Sequence, residues 1–334
     1  MTVENILGAN DRSSRYDRIL NAPGGPYDQW LENMAARPGA ILKPMKFDPD
    51  KYPEQKFAVP ELPAQDPYNM VPDALYYWEF RRRWAQKLGG RAVWESLSTQ
   101  LGSCPTSSVD NTPIMEKTAE LMDEGKNVMV VTSHFTFEEL GFFKALRFEM
   151  RHDRERMSKI GTVVNKLMSR QSLGGKSVVR QFAQCSNVYF SFPRSTSSQM
   201  FGVPSDIMES GNVQMLRRAL LPDLRRNPGH EVDIALTGKQ IIRGEGFYEI
   251  PEIDPASASL VGLFDYIYGA TMIKSPYVDS WKLSVGELID VREAKKNGSV
   301  LDVVDRVYEP ISRSVAEFTG VETVYHKVGD NCKL

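Results

Sequence analysis

Cysteine and histidine are scarce in this sequence, and no hydrophobic run is long. The three cysteines, Cys104, Cys185 and Cys332, lie far apart with no CxxC spacing. That speaks against a disulfide framework or a zinc site and suits a reducing compartment. An excess of charge of one sign is also missing: 41 Lys and Arg face 43 Asp and Glu, for a formal net charge of −2. Bulk attraction to nucleic acid or to an anionic membrane is therefore not expected. The N-terminal MTVENILGANDRSSRYDRIL lacks the basic stretch and apolar run of a signal peptide. The longest weakly polar stretch, Leu260 to Ile273, carries Asp265 and is too short to cross a bilayer. The expectation is a cytoplasmic protein whose contact with membranes, where it occurs, is peripheral.

What is present is an ordinary globular balance, 41% hydrophobic and 25% charged over 334 residues. A chain of that length can bury a core without disulfides or metals to staple it. Its character changes near residue 110. Residues 20 to 75 are rich in Pro, Gly and Asp, which favours extended turns. A helical pattern follows from Asp73 to Leu88, with Tyr76, Tyr77, Phe80 and Trp84 at helical spacing, and another covers Ala92 to Leu101. The aromatic stripe reads as a packing face. We therefore expect an N-terminal Pro-rich and helical extension over 1–110 and an α/β domain over 111–328.

From Asn111 onward helices and strands alternate. Thr112 opens a helix to Met122 that Glu124-Gly125 ends, and the apolar run Asn127 to Thr132 predicts a buried strand. Further strands are expected at Ile160–Val164, Asn187–Ser191, Glu231–Leu236, Thr271–Lys274 and Trp281–Val285. Helices are expected at Phe137–Met150, Lys176–Gln184, Ser210–Arg226, Ser257–Tyr268 and Val300–Phe318. Such alternation predicts an α/β fold with a mixed, mostly parallel sheet covered by helices on both faces.

The chemistry-bearing segment is Val130-Val-Thr-Ser-His-Phe-Thr-Phe-Glu-Glu-Leu-Gly141. A buried strand ends, a histidine follows, and two glutamates open the next helix. Open α/β sheets put their chemistry in loops at the carboxyl ends of strands. A neutral imidazole there can take a proton from an alcohol, and a carboxylate on its far nitrogen fixes the tautomer. Spacing alone leaves Glu138 and Glu139 as equal candidates for that carboxylate. The plainer alternative is a structural histidine, with glutamates favoured in a first helical turn. Of the other histidines, His152 lies in the charged run RHDRER, His230 follows Asn-Pro-Gly, and His326 is near the C-terminus. Only His134 has the strand-then-helix setting.

The segment resembles the His-x4-Asp/Glu motif of the glycerolipid and lipid A acyltransferase superfamily, with His134-Phe-x-x-x-Glu139-Leu close to the lipid A form. Glu139 is the position that corresponds; most glycerolipid members carry Asp there. A second block, Asn187-Val-Tyr-Phe-Ser-Phe-Pro-Arg194, stands where the family has an acceptor-binding arginine. The third is degenerate: in Asp233-Ile-Ala-Leu-Thr-Gly238-Lys239-Gln-Ile-Ile-Arg243, Gly238 fits the family glycine and Lys239 shifts the basic position. Thr271-Met-Ile-Lys-Ser-Pro276 is similar to the fourth block, a proline after an apolar strand. The likeness spans roughly residues 112 to 320.

The resemblance implies transfer of a fatty acyl group from acyl-CoA or acyl carrier protein to a hydroxyl of a phosphate-bearing alcohol. His134 would be the general base and Glu139 its partner. Arg194, Lys239 and Arg243 are the candidate phosphate ligands, Arg as a bidentate fork and Lys as a point charge. Gly238 reads either as a turn residue with positive φ or as an N–H donor to an oxyanion. No metal or bound cofactor is expected, because a thioester is already activated. Erosion of the later blocks motivates the alternative of a non-catalytic lipid- or partner-binding relative. A hydrolase reading lacks a Gly-x-Ser-x-Gly elbow, and Gly174-Gly-Lys-Ser177 lacks the first glycine of a phosphate loop.

Overall fold

The computed structural model describes residues 106–109, 112–135, 159–165, 172–173, 176–177, 187–192, 205–253, 255–274 and 281–328. These fall into two compact units, one holding the described residues of 165–219 and the other those of 106–164 and 220–328. In chain order the elements are β1 (Thr106–Val109), α1 (Thr112–Asp123), β2 (Val128–Thr132), β3 (Ile160–Asn165), β4 (Ser172–Leu173), β5 (Lys176–Ser177) and β6 (Asn187–Ser191). There follow α2 (Ser205–Met215), a π-helical turn (Leu216–Leu220), α3 (Leu221–Arg226), β7 (Glu231–Ile234), β8 (Ile242–Arg243), β9 (Phe247–Ile250) and α4 (Pro255–Ala258). A 3₁₀ turn (Ser259–Leu263) leads to β10 (Tyr266–Lys274), β11 (Trp281–Val285), β12 (Ile289–Asp290), α5 (Val291–Lys296), α6 (Val300–Thr319) and β13 (Glu322–Tyr325).

The larger unit is built on a mixed sheet in which β1, β11, β10, β2, β7 and β3 lie side by side. The pairs β10–β2, β2–β7 and β7–β3 are parallel, β10–β11 is antiparallel, and β12 also pairs with β10. Strand β2 is central and reads Val-Met-Val-Val-Thr, buried at every position. A strand with neighbours on both edges and helices on its faces needs such a continuous apolar run. On one face Met115 and Leu121 of α1 meet Val128, Val130, Tyr268, Ala270 and Met272. Alternation along β10 turns Gly269 the other way. A Cβ there would meet Ile311 Cδ1 at 3.1 Å and Val307 Cγ1 at 3.2 Å, so α6 lies close on that face.

Local chemistry sets the helix ends. Helix α1 stops where Gly125 takes φ 77°; Gly125 N–H donates to Met122 O at 3.0 Å and Lys126 N–H to Leu121 O at 2.8 Å. This is the double hydrogen bond of a Schellman cap, which glycine permits at no steric cost. Ser299 and Asp302 form a capping box at the start of α6, and Gly320 closes it with φ 69°. A small second sheet, ordered β13-β9-β8, pairs β13 parallel and β8 antiparallel to β9.

Several expectations change. The helix expected at Ser257–Tyr268 is short: α4 and its 3₁₀ turn end at Leu263, and Tyr266 to Lys274 is one strand. Tyr266, Ile267 and Tyr268 pair with β2 and are β-formers at the sheet centre, so sheet register overrides a weak helical pattern. The helix read as Ser210–Arg226 begins at Ser205 and carries the π turn. Lys176 and Ser177 pair with Ser172 and Leu173 instead of opening a helix. Thr106–Val109, on the extension side of the boundary drawn at 110, pairs with β11. The helices read at Asp73–Leu88, Ala92–Leu101 and Phe137–Met150 lie outside the described residues. Among the described residues no helix is long and apolar enough to cross a membrane.

Candidate active site

His134 lies two residues beyond the carboxyl end of β2. Its backbone has φ 53°, and it is the one non-glycine among the described residues in the left-handed region. That conformation is sparsely populated for residues with a Cβ, with histidine among the more tolerant types, and such residues cluster at functional sites. The residue is half-buried, and its Nδ1 edge is turned away from solvent.

Contacts on both sides hold this turn. Toward β10, Ser133 N–H donates to Ala270 O at 3.1 Å, and Ser133 Oγ accepts from Met272 N–H at 3.2 Å. From the segment between β7 and β8, Ile241 N–H donates to His134 O at 3.0 Å. The next ring, Phe135, meets Tyr248 of β9 edge-on with centroids 5.6 Å apart. The backbone of His134 is thus tied at Ile241 to the loop that carries Gly238 and Lys239 and leads into β8 with Arg243. Strands β2 and β7 are parallel neighbours, so their trailing loops emerge at the same sheet edge. In the sheet β3 lies beyond β7 from β2, and the chain leaving β7 first builds β8 and β9 of the second sheet before it returns as β10.

Gly238 closes a turn: its φ is 60° and its N–H donates to Ala235 O at 2.9 Å. That amide is engaged within the loop, as the turn reading has it. Thr237 Oγ1 donates to Lys239 O at 2.7 Å, which stiffens the same loop. Gly238, Lys239 and Arg243 are exposed, and Arg243 lies in β8. Glu138, Glu139 and Arg194 lie outside the described residues, as does Pro276. His230 is buried at the foot of β7, where its backbone N–H donates to Asn127 Oδ1 at 3.1 Å. His326 is 3.7 Å from Glu249 in the small sheet.

Two residues beside the site escape a reading by motif. Asp233 is buried in β7, with one carboxylate oxygen accepting from Thr132 Oγ1 at 3.2 Å and the other from Thr162 Oγ1 at 3.3 Å. It laces three parallel strands together one residue before the β7 end. A carboxylate inside the apolar run Val232-Asp-Ile was its sequence signal, since a buried charge needs partners. Ser133 gave none, because serine beside a strand end is common.

Among the described residues no group of three or more His, Cys, Asp and Glu side chains could hold a metal ion. No family model matches this sequence, and no curated protein is significantly similar to it.

Proposed function

We propose that this chain is an acyltransferase in which His134 acts as general base on an acceptor hydroxyl, with Glu139 as the carboxylate that orients it. The observation that carries this reading is the left-handed backbone of His134 at the carboxyl edge of the central parallel strand. A residue is held in that conformation when the surrounding structure over-determines it. The sequence likeness of His134-x4-Glu139 supplies the reaction class.

In the proposed step the imidazole takes the hydroxyl proton while the alcohol oxygen bonds to the thioester carbonyl carbon. The tetrahedral intermediate then collapses, the C–S bond breaks, and the thiolate leaves with the proton from the imidazolium. The donor is acyl-CoA or acyl carrier protein, and the acceptor a glycerol-phosphate or lysophospholipid-like alcohol. Exposed Lys239 and Arg243 provide cations for its phosphate on either side of Ile241, whose N–H donates to His134 O, and the sequence likeness adds Arg194 as a further phosphate ligand. No bound cofactor enters this scheme. The protein would work in the cytoplasm, reaching lipid acceptors by peripheral contact.

The test is thiol release from a panel of acyl thioesters in the presence of glycerol 3-phosphate. Substituting His134→Ala should lower the rate on the order of a hundredfold or more. Lys239→Ala and Arg243→Ala should act chiefly on the KM for the acceptor. An alanine variant at 134 with wild-type turnover ends the proposal. Wild-type silence with every donor would favour a lipid-binding module on the same fold.

A further inference from the structure

We infer that Ser133 is a positioning residue whose hydroxyl takes over a sheet hydrogen bond from its own carbonyl and so releases the chain to turn at His134. In a regular parallel ladder, a residue whose N–H donates to one residue of the neighbouring strand accepts, on its own carbonyl, the N–H two residues further along. Ser133 N–H donates to Ala270 O at 3.1 Å, so the regular acceptor for Met272 N–H is the Ser133 carbonyl. The Ser133 Oγ accepts that N–H instead, at 3.2 Å.

The exchange has a structural consequence. Met272 is fully buried and its backbone N–H needs an acceptor. With the hydroxyl in that role, β2 can leave the ladder without orphaning β10. The peptide after Ser133 then turns out of the ladder to the segment between β7 and β8, where His134 O receives Ile241 N–H at 3.0 Å. Ser133 is itself 4% exposed, so its hydroxyl is largely shielded from bulk solvent. The left-handed turn is the geometric result of leaving the ladder with β10 for the segment that follows β7 within a single residue.

Alanine at 133 removes the substitute acceptor. The Ser133 carbonyl is then drawn back onto Met272 N–H, the ladder extends by one rung, and His134 moves toward extended backbone. The imidazole would leave its place at the strand end. As far as turnover is concerned, this rests on the reading of His134 as the base; the backbone claim stands without it.

The experiment uses the full chain with selectively labelled histidine, whose four residues give four backbone amide signals. A positive φ brings the amide proton close to its own Hα, so wild-type His134 should show a strong intraresidue cross-peak between them. Ser133→Ala should weaken that cross-peak, and Ser133→Thr, which keeps the hydroxyl, should restore it. In the acyl-transfer assay the alanine variant should lose on the order of a hundredfold in kcat, as a displaced catalytic group does, with KM little changed. A folded Ser133→Ala protein that keeps the wild-type cross-peak overturns the inference. So does a wild-type His134 without it, a result that does not depend on any variant folding. If the cross-peak responds as expected while no protein transfers acyl groups, the positioning role stands and the acyltransferase reading falls.

Discussion

His134 carries a conformational cost. A Cβ in the left-handed region meets the following carbonyl, at roughly 1–2 kcal/mol per residue, and glycine escapes it. At an ordinary strand end, replacing histidine by alanine or glycine would favour alanine, which has less backbone entropy to lose. At this position the order should reverse. His134→Gly is expected to be about 1 kcal/mol more stable than His134→Ala in urea unfolding, although both lack the imidazole. Equal stabilities, or alanine ahead, would mean that φ 53° is not the conformation in solution. Asp233 shows the same economy of placement: one buried carboxylate holds Thr132 and Thr162 on the two flanking strands. It fixes the strand ends from which the His134 and Gly238 loops depart.

At the scale of elements, β10 and α6 pack in close contact. Gly269 admits the helix because it has no side chain; a Cβ would lie 3.1 Å from Ile311 Cδ1 and 3.2 Å from Val307 Cγ1. Both neighbours are buried, so the helix has little room to retreat. Gly269→Ala should therefore cost about 1–3 kcal/mol through overpacking. Ile311→Val removes the Cδ1 atom and alone should cost about 1 kcal/mol. The double variant should be more stable than the sum of the two costs implies, because each change relieves the other. Strict additivity in a denaturant-melt cycle would show that the two residues do not press on each other. Only one end of this contact was visible beforehand. The helix Val300–Phe318 was read within one residue from its apolar spacing, yet β10 was read only from Thr271 onward. The Ser257–Leu263 stretch is helical by local pattern, and nothing local marks where pairing with β2 takes over.

At the scale of the whole molecule, two tyrosines make the larger unit sensitive to alkali. Tyr308 of α6 is 1% exposed; burial pushes its phenol well above the ordinary 10.0, against the opposing pull of the Thr237 and Leu236 backbone N–H groups. Tyr325 of β13 stacks on it at 5.6 Å and donates to Asp305 Oδ1 at 2.6 Å; burial first, then that bond, raises its phenol too. Val328 N–H donates to the same Asp305 oxygen at 3.0 Å, so the segment after β13 is pinned to α6 through one carboxylate. A phenol raised in the folded state contributes stability that is intact below its unfolded value near 10.0. That contribution is lost as the pH climbs above it, because only the unfolded chain ionises. For Tyr308 the loss should reach about 1.4 kcal/mol per pH unit. Urea midpoints between pH 9 and 11 should fall less steeply for Tyr308→Phe than for the wild type. Parallel slopes would mean the buried phenol does not resist ionisation.

Much of this protein was determined locally. The four apolar residues of β2, the Gly125 stop of α1 and the amphipathic spacing of α6 are all encoded by neighbours in sequence, because hydrophobic periodicity and capping act over a few residues. The position of His134 beyond a buried strand was legible for the same reason. Tertiary structure alone decided that Ser133 and Met272, 139 residues apart, share a hydrogen bond, and that the His134 carbonyl meets Ile241. It likewise decided that Asp233 is a strand clamp and that Gly238 spends its amide within a turn. Those outcomes depend on which strands become neighbours, and that choice follows from the burial of the whole sheet, which no short segment contains.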